Sequence, residues 1–124
     1  MPLYNTATAV AVLDVTPKWL DNLLSHNTID GLQSESQGVA RRLSLTTITV
    51  LVLTKELIDT LELNASAALR VAARVFDDPS GELVISPRLR IAIQKDALKA
   101  DVLAQLARAV EIAPTPRRGR PPKR

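Results

Sequence analysis

The sequence predicts an α+β fold that is mainly helical. Three observations carry the prediction. Apolar residues recur at i, i+3 and i+4 through much of the 124 residues, the spacing that lines one face of a helix. Ser, Thr or Asn precedes several of these stretches, where its side-chain oxygen can accept from the first free backbone amides. Two shorter stretches, near residues 32–43 and 82–94, carry turn residues and alternation, which is strand and hairpin chemistry. Leu, Val and Ile fill 37 positions, enough for a real core.

Residues 6–13 read as a short helix, capped by Thr6 or Thr8, with Val10, Leu13 and small alanines as its packing face. Asp14-Val15 breaks it. Thr16-Pro17 opens a second helix, Thr16 as the cap and Pro17 at the first helical position, where its missing N–H costs nothing. Leu20, Leu23 and Leu24 give that helix its apolar stripe, and it runs out near His26-Asn27. Two short helices so closely joined form a helix-turn-helix pattern. The polar run Gln33-Ser34-Glu35-Ser36-Gln37-Gly38 follows, then Val39-Ala40-Arg41-Arg42-Leu43-Ser44. This predicts a small hairpin: one strand near Leu32, a flexible tip, and a second strand over 41–43. In that position a hairpin is a wing.

Residues 45–61 are open to two readings. Thr, Val and Ile favour a buried strand over 43–53. Against that, Ile48, Leu51, Val52, Lys55, Ile58 and Leu61 keep a helical face, Ser44 or Thr46 can cap, and the stretch is long, so helix is the expectation. Asn64 caps the next helix, over 65–76, with Leu69, Ala72, Ala73 and Phe76 on one stripe, and Asp77-Asp78-Pro79-Ser80-Gly81 stops it. Leu83 and Ile85 then point one way, and Leu89, Ile91 and Ile93 follow a turn or bend at Ser86-Pro87. A last helix, over 96–112, sets Leu98, Val102, Leu106 and Val110 at coiled spacing with Leu103 beside them, and Ala113-Pro114-Thr115-Pro116 ends it. No internal repeat is evident.

Composition excludes several function classes. The chain has no Cys and one His, His26, which removes disulfide frameworks, thiolate metal sites and Cys nucleophiles. Tyr4, Trp19 and Phe76 are its only aromatics, too few for a base-stacking reader of single strands. Its four glycines, 31, 38, 81 and 119, are isolated, so no phosphate-cradling loop appears. Nothing points to a positioned acid–base pair, and the expectation is a non-enzyme without cofactor, metal or small-molecule substrate. No apolar run approaches the ~20 residues that cross a bilayer, and Met1-Pro2-Leu3-Tyr4-Asn5 does not read as a secretion signal. A soluble, cytoplasmic protein is expected.

The formal charge of +3 is unevenly placed. Five of the sixteen bases, Arg117, Arg118, Arg120, Lys123 and Arg124, fall in the last eight residues, which hold no acid. The first 116 residues therefore carry eleven bases against thirteen acids, a formal charge of −2. A near-neutral body with a basic tail suggests a polyanion partner for the tail. The tail has nothing apolar to bury and is expected to be disordered in isolation.

Arg118-Gly119-Arg120-Pro121 resembles the core of an AT-hook. An A·T-rich minor groove is narrow and strongly negative, and draws in Arg. Gly119 lets the backbone lie on the groove floor, Arg118 and Arg120 extend along it, and Pro121 keeps the chain extended. Arg117, Lys123 and Arg124 are then placed for phosphates. The plainer reading is a basic, Pro-rich tail that binds DNA or RNA without base preference.

Residues 8–29 and 38–57 are similar to the winged helix-turn-helix of MerR-type and excisionase-like regulators. The features that match are the short Ala/Val helix, the Val15-Thr16-Pro17-Lys18-Trp19-Leu20 opening, Ile29, and the Gly38-x-x-Arg41-Arg42-Leu43-Ser44 wing. The resemblance implies that the second helix enters the major groove and that Arg41 and Arg42 reach phosphates or the minor groove. Asp21 and Asn22 stand where such proteins usually carry basic or aromatic residues. Within the second helix Thr16, Lys18, Asn22 and Ser25 are the candidates to face DNA. Asn can pair with adenine, and Lys with guanine or phosphate. Trp19 is expected in the core, His26 at the helix end, and Arg70, Arg74, Arg88 and Arg90 on solvated faces.

The organisation expected is a winged helix-turn-helix over 1–62, a helix–strand–helix dimerisation module over 63–113, and a hook over 114–124. The function expected is binding of double-stranded, A·T-rich DNA by a homodimer at a bacterial nucleoid, as a transcriptional regulator or an architectural protein. The alternative is an antitoxin or adapter whose globular part binds a protein through the Leu/Ala-rich face of 96–112.

Overall fold

The computed structural model describes residues 3–27, 32–33 and 42–112. They form an α+β, mainly helical chain in which two small antiparallel sheets and five helices enclose a single apolar core. Strand β1 (Leu3–Tyr4) leads into helix α1 (Thr6–Leu13). Asn5, rather than Thr6 or Thr8, caps α1: its Oδ1 accepts from the Thr8 amide at 2.8 Å. Thr8 is buried instead. Helix α1 ends at Asp14, whose left-handed backbone (φ 56°) returns its amide to the Val10 carbonyl. Helix α2 (Pro17–His26) opens as the sequence implies, with Thr16 Oγ1 accepting from the Trp19 amide at 3.0 Å.

Strands β2 (Leu32–Gln33) and β3 (Arg42–Ser44) pair antiparallel, in the register Leu32↔Leu43 and Gln33↔Arg42. On its other side β3 pairs with β1, Leu3 opposite Ser44 and Tyr4 opposite Leu43, giving the order β1-β3-β2. The second hairpin strand ends at Ser44, one residue beyond the expected 41–43. The predicted tip and Arg41 lie outside the described residues. Strand β1 was not foreseen; two residues are too few to show alternation.

Helix α3 (Leu45–Leu61) decides the ambiguity of its β-branched sequence. Ser44 caps it, accepting from the Thr47 amide at 3.1 Å. Within it, the Thr49 and Thr54 hydroxyls each donate to the carbonyl four residues earlier at 2.8 Å. Those bonds satisfy buried polar groups that would otherwise oppose a helix in the core. Helix α4 (Ala65–Asp77) is capped by Asn64, which accepts from the Ala67 amide at 2.8 Å. Its buried face is Ala68, Leu69, Ala72, Val75 and Phe76; Ala73, expected on the stripe, is exposed.

Strands β4 (Glu82–Ser86) and β5 (Leu89–Ala92) form a separate antiparallel hairpin. Its register shifts between Val84 and Ser86. Such an irregularity interrupts the period of two, so Ile85 is 47% exposed while Leu83 packs on the core. Helix α5 (Lys95–Ile112) closes the fold against α1 and α3. Its expected coiled stripe is covered within the chain: Val102 and Leu106 are buried, and Leu98 packs beside them. The stripe is therefore occupied within the chain. The side chain of Val110 lies outside the described residues. No helix among the described residues is long and apolar enough to cross a membrane.

Candidate nucleic-acid interface

Helix α2 divides cleanly by exposure. Leu20, Leu23 and Leu24 are buried, and Trp19 packs half-buried against the same core. At 100° per residue, Lys18, Asn22 and Ser25 fall on the opposite arc, at i, i+4 and i+7, and all three are exposed. Asp21 and His26 flank that arc and are exposed too. The arrangement brings three of the four candidate residues of this helix onto one outward face.

Thr16 has a different position. It is exposed, but its oxygen is engaged as the cap of α2. Its first duty is to hold the helix start, which leaves the hydroxyl proton and one lone pair to offer a ligand. At the other end His26 donates from Nδ1 to the Asn22 carbonyl at 2.7 Å, and the Asn27 side chain donates to the Leu23 carbonyl at 2.9 Å. Both bonds satisfy carbonyls of the last turn. His26 is therefore a helix-end residue, as its place in the sequence implies.

Arg42 is exposed on β3, one residue before the buried Leu43. Both α2 and β3 pack against α1, so one rigid helix positions the outward arc and the strand that carries Arg42. Strand β1 adds the second edge contact that fixes β3. Arg41 and the candidate hook residues Arg117, Arg118, Gly119, Arg120, Pro121, Lys123 and Arg124 lie outside the described residues.

Other cations are accounted for more plainly. Arg70 and Arg74 are exposed on α4. Arg90 lies 3.3 Å from Glu82 across the β4–β5 hairpin, and Lys55 lies 2.7 Å from Asp59 one helical turn away. Among the described residues no group of three or more His, Asp or Glu could hold a metal ion.

Sequence reasoning missed two shallow depressions on the flank where α3 meets α5. One, of about 400 Å³, has Leu57, Ile91, Ile93 and Leu98 among its walls. The other, of about 310 Å³, reaches Val12 and Val52. Glu56 and Thr60 border both. No periodicity signals them, because they arise where α5 and the end of β5 meet α3, and α3 and α5 meet α1.

Comparison with protein-family models, with curated proteins and with solved structures finds no match for this chain.

Proposed function

We propose that the chain binds double-stranded DNA through a winged helix-turn-helix and a minor-groove hook. In this reading α2 lies in the major groove, with Lys18 and Asn22 at base edges or phosphates and Ser25 beside them. Arg41 and Arg42 of the hairpin meet the backbone or the adjacent minor groove. The tail reads A·T-rich sequence through Arg118, Gly119, Arg120 and Pro121, with Arg117, Lys123 and Arg124 on phosphates.

The observation that carries the reading is the outward arc of α2. Three polar side chains share it, while all three leucines of the helix are buried. The α1–α2 unit and the β2–β3 pair that follows it supply the order of elements a winged helix-turn-helix requires.

The reading places the protein at a bacterial nucleoid, as a regulator or an architectural coat, and as a homodimer that brings two heads and two hooks to one duplex. The dimer surface has to be other than the α5 stripe. The outer face of α5 leaves Leu103 51% exposed among the exposed Ala100, Ala104 and Ala107.

Fluorescence anisotropy on an A·T-rich duplex tests the proposal. Saturable binding is expected, weakening steeply with salt by a log–log slope of about −0.9 per phosphate contact. No binding at low salt overturns it. Mapping of bound sites then separates the two roles: sharp peaks for a regulator, broad A·T-rich coverage for a coat.

A further inference from the structure

The two depressions between α3 and α5 share a charge as well as a border. Their lining carries Glu56, Asp59 and Asp101 against one base, Lys55, whose amine is held 2.7 Å from Asp59. The larger has mainly apolar walls, with Leu61, 53% exposed, among them; the smaller sets Val12, Leu13 and Val52 among polar side chains. An apolar trough with an acidic rim suits a cationic segment whose rings and aliphatic stems can lie on the floor while its charged heads reach the rim.

We propose that this trough holds the chain's own residues 114–124, so that the hook is sheltered on the body until DNA displaces it. Two facts select that occupant. The first is charge: the tail from 117 onward carries five bases and no acid, and the first 116 residues carry −2. The second is reach. The two depressions touch α5 at Gln105, Asp101 and Ala97, the last of which lies ~22 Å from Ile112 at 1.5 Å per residue. The eleven residues of the tail span ~34 Å when extended. The four prolines at 114, 116, 121 and 122 favour such an extended chain. Glu56 and Asp101 are exposed rim carboxylates placed to meet the Arg and Lys heads.

Surface ion pairs of this kind are individually weak. Tethering compensates, since it presents the tail to the trough at an effective concentration on the order of millimolar. DNA is the denser polyanion and wins where it is present. The apparent affinity for DNA is then the intrinsic affinity reduced by the fraction of hooks that are free. This consequence rests on the DNA-binding reading; the docking itself does not.

The absence of Cys allows a single spin label at Pro122→Cys, near the far end of the tail, in the intact chain. Amide signals of 56–61 and 97–105 should broaden selectively at low salt. They should recover when an A·T-rich duplex is added, and also in the Glu56→Gln/Asp101→Asn variant. That variant should bind the duplex about threefold tighter or more. Asp77→Asn/Asp96→Asn, the same change of charge at exposed sites outside the trough, should leave both readouts near wild type. Broadening that is absent, spread evenly, or indifferent to Glu56→Gln/Asp101→Asn overturns the proposal. So does broadening that appears only between labelled and unlabelled molecules in a mixture, which assigns the trough to a second copy. Selective broadening that the double variant relieves but DNA does not keeps the docking and removes the DNA-binding reading.

Discussion

Lys95 reaches back seventeen residues to Asp78, donating from Nζ to its backbone carbonyl at 2.9 Å. Asp78 caps the C-terminus of α4, where the partial negative charge of the helix favours a cation. The same ammonium sits 4.8 Å from the centre of the Phe76 ring. One side chain thus joins the end of α4 to the start of α5 across the β4–β5 hairpin. Lys95→Met keeps most of the apolar stem and removes the charge and the donor. It should lower stability by about 1 kcal/mol, seen as a drop of a few degrees in a thermal melt. An unchanged melt would mean that the contact contributes nothing.

Gly81 occupies the pivot of this connection. Its φ of +75° is a conformation that L side chains rarely adopt. A Cβ there would lie 2.9 Å from the Ile93 carbonyl oxygen and 3.0 Å from Lys95 Cγ. The Gly81 amide and carbonyl are both used, by Asp78 and Ile93 at 2.9 Å each. Gly81→Ala therefore meets backbone strain of about 1–2 kcal/mol in addition to the clash. The urea midpoint should fall by more than for Lys95→Met. A midpoint equal to wild type would show that the turn relaxes freely.

The carboxylate of Asp78 supplies an acid-sensitive element in the same place. Hydrogen bonds from the Ser80 hydroxyl, then the Glu82 and Ser80 amides, hold its pKa below the usual carboxylate range, with a smaller contribution from the charge of Lys95. The folded state therefore binds this proton less readily than the unfolded chain. The stabilisation is fully present above the unfolded value of about 4 and is lost as pH falls through the lowered folded value. Asp78→Asn removes that dependence. The difference in melting temperature between wild type and Asp78→Asn should be constant above pH 5 and shrink below pH 4. A difference that grows in acid would contradict the assignment.

Much of this architecture is legible in the sequence where the cause is local. Thr16-Pro17, Ser44 and Asn64 mark helix starts because a cap and its target amide lie within three residues. Asn5 was overlooked because Thr6 and Thr8 compete with it as caps on composition alone. The contacts that were not legible are long-range. Nothing in the spacing of Val102 and Leu106 says that α1 will cover them, nor that Lys95 will meet Asp78. The outward arc of α2 was legible because burial of Leu20, Leu23 and Leu24 fixes the opposite face. The trough was not, because it has no continuous stretch of sequence.

Helix α2 offers a separation of folding from binding. Thr16→Ala removes the cap and should cost about 1 kcal/mol of stability. Lys18→Ala and Asn22→Ala alter exposed side chains and should leave the melt within a degree or so of wild type. Under the proposed reading their effect falls on DNA binding. Loss of a phosphate contact at Lys18 should weaken binding to all sequences and reduce the salt slope by about 1. Loss of a base contact at Asn22 should reduce discrimination between sites by about 1–3 kcal/mol. Wild-type binding by both variants would remove α2 from the interface.

The proposed hook would read A·T-rich DNA in a way that charge alone does not explain. Gly119→Leu tests it most directly, because it leaves the net charge at +3 and changes only how closely the backbone can approach the groove floor. The measurement is the affinity of wild type and Gly119→Leu for paired A·T-rich and G·C-rich duplexes at one fixed salt concentration. Wild type should prefer the A·T-rich duplex, Gly119→Leu should lose most of that preference, and binding to the G·C-rich duplex should barely change. Equal affinities of both proteins for both duplexes would contradict it.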